Sequence, residues 1–446
     1  MWPFTPAYPD EGNTVYDYIV VEGQSSEDPT VRVLLIERGS ALNTWASGIY
    51  TRGSAADFNR WHESGRQGWS YEEVEPFFIE SEGFQGKTHY GSKGDYKYVF
   101  DFLSRTVEDA RMGQIPPSLH RQVRNSSILS VEATQCLGIP VVDDINTPEA
   151  PAVACARLHV TLDNNARRCS TFDAFLPLDV ALSRKDHLKI CTKTVATSLH
   201  IKRNRATGVF FEGEEPEKQF YARARREVVV CCGAIASPQL LMLSGIGPAS
   251  HLQVLRIDVV KDLPGVGTLP EPDFSPRTAS TSELDSTIPA NIPNIEIEVP
   301  PGTGVFSLLA ILLQPQSHGT VRLASRDPRV RPTCDLARRL GQQMRASGYA
   351  MEDENMLAGE HEEDLDAFVK KSVVTALHCT SACRMAPETD VRPGVVDDRL
   401  RVHGVGGLRI ADCSIFPDIV WNHPQAAAVM VAEKCAHMML EDARYT

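Results

Sequence analysis

The stretch that decides the fold is YDYIVVEGQSSEDPTVRVLLIERG, residues 16–39. Its two apolar runs, Tyr18–Val21 and Val31–Ile36, predict neighbouring buried strands. Glu37 follows the second run, and an acidic residue at the end of the second strand is what a dinucleotide-binding fold uses to bind a ribose hydroxyl. The stretch therefore predicts the first half of a Rossmann-like α/β unit.

The segment between these two runs is too short for the usual connection. Only residues 22–30 separate the runs, whereas a parallel crossover with its helix needs about a dozen residues or more. The segment holds one glycine, Gly23, and three acidic residues, Glu22, Glu27 and Asp28, which would repel a phosphate. Two arrangements remain open: an antiparallel hairpin, or an extended linker that crosses the sheet edge. Both predict a damaged diphosphate site, because that site needs bare backbone N–H groups at a helix N-terminus.

Length and composition indicate an ordinary globular protein. The chain has 446 residues, enough for two or three structural units, and its net charge of −13 argues against nucleic-acid binding. The longest apolar run, Val305–Leu313, is too short for a membrane span and predicts a buried strand. The first residues lack the pattern of a signal peptide, and the eleven cysteines lack metal-ligand or redox spacing. We therefore expect a cytoplasmic protein with no membrane contact and no metal.

The rest of the chain shows further strand and helix patterns. Glu227–Cys231 predicts a second buried strand, followed by a helix with Ser237 as N-cap, Pro238 in its first turn and Gly245 as its stop. Ser70 predicts another helix start. Other predicted strands cover residues 188–191, 195–201, 206–211, 319–325 and 407–412, and further helices cover residues 360–371 and 425–440.

Several blocks, in order along nearly the whole chain, resemble the glucose-methanol-choline (GMC) family of FAD-dependent oxidoreductases. They are YDYIVV, TRGSAADFNRW, GWSYEEVEPFF, CGAIASPQLLMLSGIGPASHL, DLPGVG, QPQSHGTVRLASRDP, HCTSACRM, VVDDRLRVHGVGGLRIADCSIFP and NHPQAAA. SPQLLMLSGIG is specific by itself. The resemblance implies FAD as cofactor and hydride transfer from an alcohol group of a small organic metabolite to the flavin. Members close to this pattern look like fungal enzymes that oxidise alcohols, many of them in secondary-metabolite pathways.

The resemblance also implies an α/β fold with two domains. Residues 14–82, 186–268 and 378–446 would form a discontinuous FAD/NAD(P)-binding, Rossmann-like domain. Residues 83–185 and 304–377 would supply a discontinuous α+β substrate-binding domain and its connecting segments. Residues 269–303 are rich in Pro, Ser and Thr, so we expect a loop or linker there.

Two histidines match the family's catalytic positions. The resemblance implies His423 as the base that takes the hydroxyl proton and His378 as its partner, although the division of labour could be reversed. Histidine suits this work because its ordinary pKa lies near neutral pH. The His-Pro-Gln element, with Pro424 and Gln425, would begin the last helix and face the flavin, so that the positive helix end points at the ring.

Four other residues match cofactor positions. Glu37 matches the adenosine ribose ligand, Val195 a position whose backbone meets the adenine, and Asn43 the asparagine after the second glycine-rich motif. Asp412 matches the flavin-side acidic residue. The alternatives are a solvated strand end for Glu37, plain strand packing for Val195 and an N-cap for Asp412.

Two details near the catalytic positions bear on the site. The family's usual HPxGTC reads HCTSAC in this chain, which places Ser381 at a glycine position and Ala382 at a threonine position. The added Ser381 side chain would crowd the flavin or disturb a turn. Cys383 reads as a packed small hydrophobe rather than a reactive thiol.

Two other functions stay open beside the flavoenzyme. One is a flavin-free homologue, a cyclase or dehydratase, in which His378 and His423 transfer protons without a redox cofactor. The other is an inactive, truncated relative. Both follow from the short segment after the first strand.

Overall fold

The structure is a computed structural model. It describes residues 15–22, 31–39, 48–82, 100–101, 135–136, 138–156, 159–161, 169–213, 218–271, 295–298, 309–312, 317–329, 333–334, 378–421 and 423–444. Three features expected from the sequence lie outside the described residues: Asn43, most of the segment after the first strand (residues 23–30) and the helix at residues 360–371.

Short and long strands alternate with helices along the chain. The strands are β1 Val15–Val21, β2 Val33–Ile36, β3 Ile49–Tyr50, β4 Phe100–Asp101, β5 His159–Val160, β6 Leu188–Cys191, β7 Val195–Lys202, β8 Arg205–Glu212, β9 Gln219–Val230, β10 Ile246–Gly247, β11 Lys261–Asp262, β12 Thr268–Glu271, β13 Ile295–Glu298, β14 Leu309–Leu312, β15 Ser317–Arg322, β16 Thr333–Cys334 and β17 Leu408–Ile410. The helices are α1 Ala55–Glu63, α2 Tyr71–Ser81, α3 Thr171–Phe175, α4 Leu178–Ser183, α5 Gly233–Leu243, α6 Ala249–Val254 and α7 Gln425–Arg444, with a 3-10 turn at Cys413–Ile415.

The largest sheet has seven strands in the order β6-β2-β1-β9-β8-β7, with β17 also paired to β9. Strands β6, β2, β1, β17 and the second half of β9 are parallel, whereas β7, β8 and the first half of β9 form an antiparallel meander. β2 is completely buried, and β1 is buried from Tyr16 onward. Continuous burial is what a parallel sheet covered on both faces requires. This sheet is the predicted Rossmann-like unit.

The pairing of β1 with β2 settles how the opening strands are arranged. They run parallel, with Tyr18 opposite Val33 and Val21 opposite Ile36. The antiparallel hairpin is therefore excluded. Residues 22–32 connect the two strands, and residues 23–30 of this connection lie outside the described residues.

Smaller sheets and helices surround this core. β12, β15 and β16 form one antiparallel sheet, β3, β5 and β4 another, and β13 pairs with β14. Helix α7 packs against α2, and α5 packs against β7 and the 3-10 turn. None of the described helices combines the length and the apolar character that a bilayer crossing demands.

Two local predictions were wrong. Residues 269–303 are not all loop, because β12 extends to Glu271 and β13 covers Ile295–Glu298. The alternation I-E-I-E in β13 is a strand pattern, and it pairs with β14. Ser237 lies inside α5, which begins at Gly233, so Ser237 is not the N-cap and Pro238 is not in the first turn.

Other local predictions are confirmed. Ser70 is the N-cap of α2, and its backbone N–H donates to Glu73 Oε2 at 3.0 Å, which completes a capping box. Part of the apolar run at residues 305–313 is strand β14. The predicted last helix is α7, which extends to Arg444.

Candidate active site

The carboxyl ends of the parallel strands meet at one edge of the large sheet. β1 ends before Glu22, β2 before Glu37 and β17 shortly before Asp412. In the sheet, β1 lies between β2 and β9. The chain passes from β1 to β2 and β6 on one side and later returns to β9 on the other side, so the order of the strands reverses beside β1. In open α/β sheets ligands bind at such a switch point.

Glu37 is held at the end of β2 by its backbone. Its N–H donates to Cys191 O at 2.8 Å, and its carbonyl accepts from Thr194 N at 2.9 Å. Its Oε1 accepts from Gly39 N at 2.5 Å. Burial raises the pKa of the Glu37 carboxyl, although the Gly39 hydrogen bond opposes this effect. The predicted ribose ligand is thus a half-buried, ordered carboxylate rather than a freely solvated strand end.

A small, open cleft lies beside this edge. Residues from three strand ends and from α5 line it, among them Val21, Glu22, Arg38, Val195, Cys232 and Leu240. Val195 therefore shares a cleft with residues at the ends of β1 and β2. Apolar walls with a few polar groups are what a small aromatic ring such as adenine requires.

Asp412 ties the end of β17 to the start of α5. It is the N-cap of the 3-10 turn, and its carboxylate accepts from Ser414 N at 2.7 Å. The same carboxylate accepts from Gly233 N at 2.9 Å and from Ser237 Oγ at 2.5 Å. Burial raises its pKa, while these hydrogen bonds lower it. The N-cap alternative is therefore the role that this structure describes.

His378 and His423 lie together. Their ring centroids are 4.6 Å apart and their planes meet at 74°, an edge-to-face contact. His423 is buried, and its backbone N–H donates to Thr51 Oγ1 at 3.3 Å. α7 begins two residues later at Gln425, and Pro424 O accepts from Ala428 N at 2.9 Å in its first turn. The helix N-terminus, where partial positive charge concentrates, therefore directly follows His423.

Sequence reasoning missed the residues that support this histidine. Thr51 and Asp57 both belong to the TRGSAADFNRW block, which supports the family resemblance without assigning a role to either residue. Asp57 is fully buried, and its Oδ2 accepts from the backbone N–H of Trp421 at 2.8 Å. Next to Thr51, Arg52 is buried and donates twice to Glu82, at 2.7 Å each. No local pattern in the block marks these contacts, because their partners Trp421 and Glu82 lie outside it.

The HCTSAC segment has the geometry of a glycine turn. Ser381 has φ +66°, in the left-handed region that residues with a β-carbon disfavour. Ser381 N donates to Cys413 O at 3.1 Å, which fixes the turn against the 3-10 turn. Cys383 is completely buried, and burial raises its pKa well above the ordinary value, so it packs as a small hydrophobe as predicted.

Comparison with known proteins agrees with this architecture. The family model described as GMC oxidoreductase matches residues 16–269, and a second model of that family matches residues 336–432. An oxygen-dependent choline dehydrogenase of Pseudomonas fluorescens (strain Pf0-1) is 30% identical over 87% of this chain and 76% of its own length.

Two solved structures share the fold. Pyridoxine 4-oxidase from Mesorbium loti has a TM-score of 0.74 and 23% identity, covering 96% of this chain and 99% of that one. A formate oxidase variant from Aspergillus oryzae, solved to study the effect of the mutation on FAD modification, has a TM-score of 0.73 and 18% identity, covering 97% and 99%.

The fold and the matched positions define an FAD-dependent oxidoreductase that acts on CH–OH groups. The chain belongs to the GMC oxidoreductase family. FAD is accordingly its cofactor.

The residues present fit FAD at both ends. An ordered carboxylate and an apolar cleft suit the adenosine, through Glu37 and Val195. The histidine pair at the start of α7 suits the flavin end. The middle differs, because Glu22 occupies the end of β1, where this class of fold receives the diphosphate.

Proposed function

We propose that this chain oxidises an alcohol group of a small organic metabolite, with His423 as the base and His378 as its partner. The observation that carries the proposal is the edge-to-face contact of the two rings, 4.6 Å apart, beside the N-terminus of α7. We place the reaction in a fungal secondary-metabolite pathway. The sequence blocks that resemble fungal members of the family support that placement.

The proton transfer follows from the position of His423. Its backbone is anchored to Thr51, its side chain is buried, and its ring packs edge-to-face against His378. A neutral imidazole nitrogen accepts the proton of the substrate hydroxyl, which leaves the alcohol carbon ready to lose a hydride. When bound, FAD would supply the hydride acceptor. His378 contacts the same ring and keeps its orientation while the proton is held.

We further propose a division of the chain into two functional parts. Residues 14–82, 186–268 and 378–446 bind FAD, and residues 83–185 with 304–377 form the substrate side. The large sheet supports the first part, because its parallel strands come from all three of those segments.

The experiment compares single histidine variants in single-turnover flavin reduction without oxygen. The alcohols are choline, pyridoxine and benzyl alcohol, which probe a cationic, a heteroaromatic and an aromatic substrate. His423→Ala should slow flavin reduction by about 10²–10⁴-fold, the usual contribution of a general base, with a smaller loss for His378→Ala.

A matched control lies on the same helix. His437 is an exposed residue of α7, with a side chain 63% accessible. His437→Ala should reduce the flavin at the wild-type rate. Equal rates for wild type and His423→Ala, with the flavin content of the two proteins also equal, would refute His423 as the base.

A further inference from the structure

Three carboxyl groups come together at the carboxyl edge of the large sheet. Glu22 follows β1, Glu37 follows β2 and Asp412 follows β17. The electrostatic influence of Glu37 and Asp412 reaches the Glu22 carboxyl. Two of the three have fixed partners, because Glu37 accepts from Gly39 N and Asp412 accepts three hydrogen bonds. Glu22 is the member that lines the cleft at the switch point.

The backbone at Glu22 is that of a glycine turn. Its φ is +61°, in the left-handed region that glycine adopts at no cost. Its N–H donates to Ile36 O at 2.8 Å, which fixes the position of this residue between β1 and β2. A carboxyl group therefore stands at a position whose backbone favours glycine, at the sheet edge where this class of fold receives the diphosphate.

We propose that Glu22 sets the affinity of this chain for FAD: FAD binds when the Glu22 carboxyl is neutral, and the ionised carboxylate opposes the FAD diphosphate. The inference concerns cofactor loading alone. It does not depend on which histidine takes the substrate proton.

The surroundings of Glu22 make its proton available near neutral pH. Burial raises its pKa most, Glu37 and Asp412 raise it further, and Arg38 opposes them, so that the pKa is about 7. The thiols of Cys231 and Cys232 face it from the end of β9 and the start of α5. Burial holds the pKa of both thiols well above the ordinary value, so they stay neutral here.

The test measures FAD binding by equilibrium dialysis of the full chain, with bound FAD counted after denaturation. For the wild type, Kd should rise about thirtyfold between about pH 6 and about pH 8.5, as a single proton with a pKa of about 7 requires. Glu22→Gln and Glu22→Gly should bind FAD with the wild type's low-pH affinity at every pH. Glu80→Gln, an exposed residue of α2 that changes the net charge equally, should follow the wild type.

Three results would overturn the proposal. The first is a wild-type Kd that does not change over this range, which needs no variant and so does not depend on how the variants fold. The second is an unchanged pH dependence in Glu22→Gln. The third is the absence of FAD binding to folded Glu22→Gln and Glu22→Gly, with folding checked by circular dichroism. None of these results bears on the catalytic histidines, which are tested by flavin reduction.

Discussion

The Asp57 carboxylate accepts a hydrogen bond of 2.8 Å from the backbone N–H of Trp421, a residue 364 positions away in the chain. The same oxygen accepts from Ser54 N at 3.1 Å, so one carboxylate closes the start of α1 and fixes the segment that leads to His423. Arg60 approaches the other oxygen at 3.5 Å. The N-terminal and C-terminal parts of the site are therefore joined at one buried residue.

Asp57→Asn should change how stability depends on pH. Burial raises the pKa of Asp57 from 3.8 to about 6, although the Trp421 and Ser54 hydrogen bonds and Arg60 lower it. Between these two pH values the folded chain keeps a proton that the unfolded chain releases. The stabilisation of the folded chain by protonated Asp57 is therefore fully present below pH 3.8 and is lost as the pH rises through about 6. The shift corresponds to about 3 kcal/mol.

The measurement is urea unfolding of both proteins across that pH range. The difference in unfolding free energy, wild type minus Asp57→Asn, should fall as the pH rises. Glu80→Gln serves as the control, and its difference from the wild type should show no such fall. If the Asp57→Asn difference stays level from about pH 4 to about pH 6, the ionisation of Asp57 is not linked to folding in this way.

Arg409→Met should destabilise the chain far more than Arg401→Met. Arg409 is completely buried and donates to Glu227 at 2.6 and 3.2 Å, to the carbonyl of Arg399 at 2.8 Å and to Asp442 in α7. Removing one partner of a fully buried ion pair costs about 3–5 kcal/mol, because the other partner loses its compensation. The loss at Arg409 should be smaller than this, because the Glu227 and Asp442 side chains are 21% and 39% exposed. Methionine keeps most of the apolar stem of arginine, so the decrease in stability measures the removal of the charge and its hydrogen bonds.

Arg401 is the matched control on the surface. It is more than half exposed and pairs with Asp397 at 2.9 Å. Exposed pairs contribute less than about 1 kcal/mol, and this contribution should fall further in high salt. Thermal unfolding of both variants at low and high salt compares the two sites. Equal losses at the two arginines would contradict the buried network between the sheet and α7.

The frame of the fold was predictable because it rests on local patterns. The run at Tyr18–Val21 is apolar throughout, and Arg32 alone interrupts the run at Val31–Ile36. Such runs specify strands of a covered parallel sheet. β13 was missed because the Pro-rich and Ser-rich composition around it dominated the interpretation of residues 269–303. The strand pattern consists of only two Ile-Glu repeats, at Ile295–Glu298, next to a much longer segment rich in Pro and Ser.

The parts of the site that the sequence did not predict depend on distant contacts. Ser237 looked like an N-cap, but its hydroxyl donates to Asp412, 175 positions later. No local pattern contains that partner. The histidine pair was found through the family resemblance, whereas the link from Asp57 to Trp421 needs the folded chain. The charge at Glu22 was visible in the sequence, but its left-handed backbone was not.

The left-handed turn at Ser381 offers a test of backbone strain beside the histidine pair. Ser381 has φ +66° and is buried, and its Oγ lies 3.2 Å from Thr380 Oγ1. Replacement by alanine removes the hydroxyl and keeps the strain, whereas replacement by glycine removes both. The comparison of Ser381→Gly with Ser381→Ala therefore isolates the cost of the β-carbon in this conformation.

Ser381→Gly should be more stable than Ser381→Ala by about 1 kcal/mol, since a β-carbon in the left-handed region costs about 1–2 kcal/mol and glycine loses part of this gain in the unfolded chain. Ser183, an exposed residue of helix α4, serves as the control, because its backbone is helical rather than left-handed. There the alanine variant should be the more stable one, because alanine is the better helix former. The difference should be less than the roughly 1 kcal/mol of a helix interior, since Ser183 is the last residue of α4. Urea unfolding of the four variants gives both differences. The same order of alanine and glycine at the two sites would mean that Ser381 is not held in the left-handed conformation, and the turn that packs against Cys413 would then have another shape.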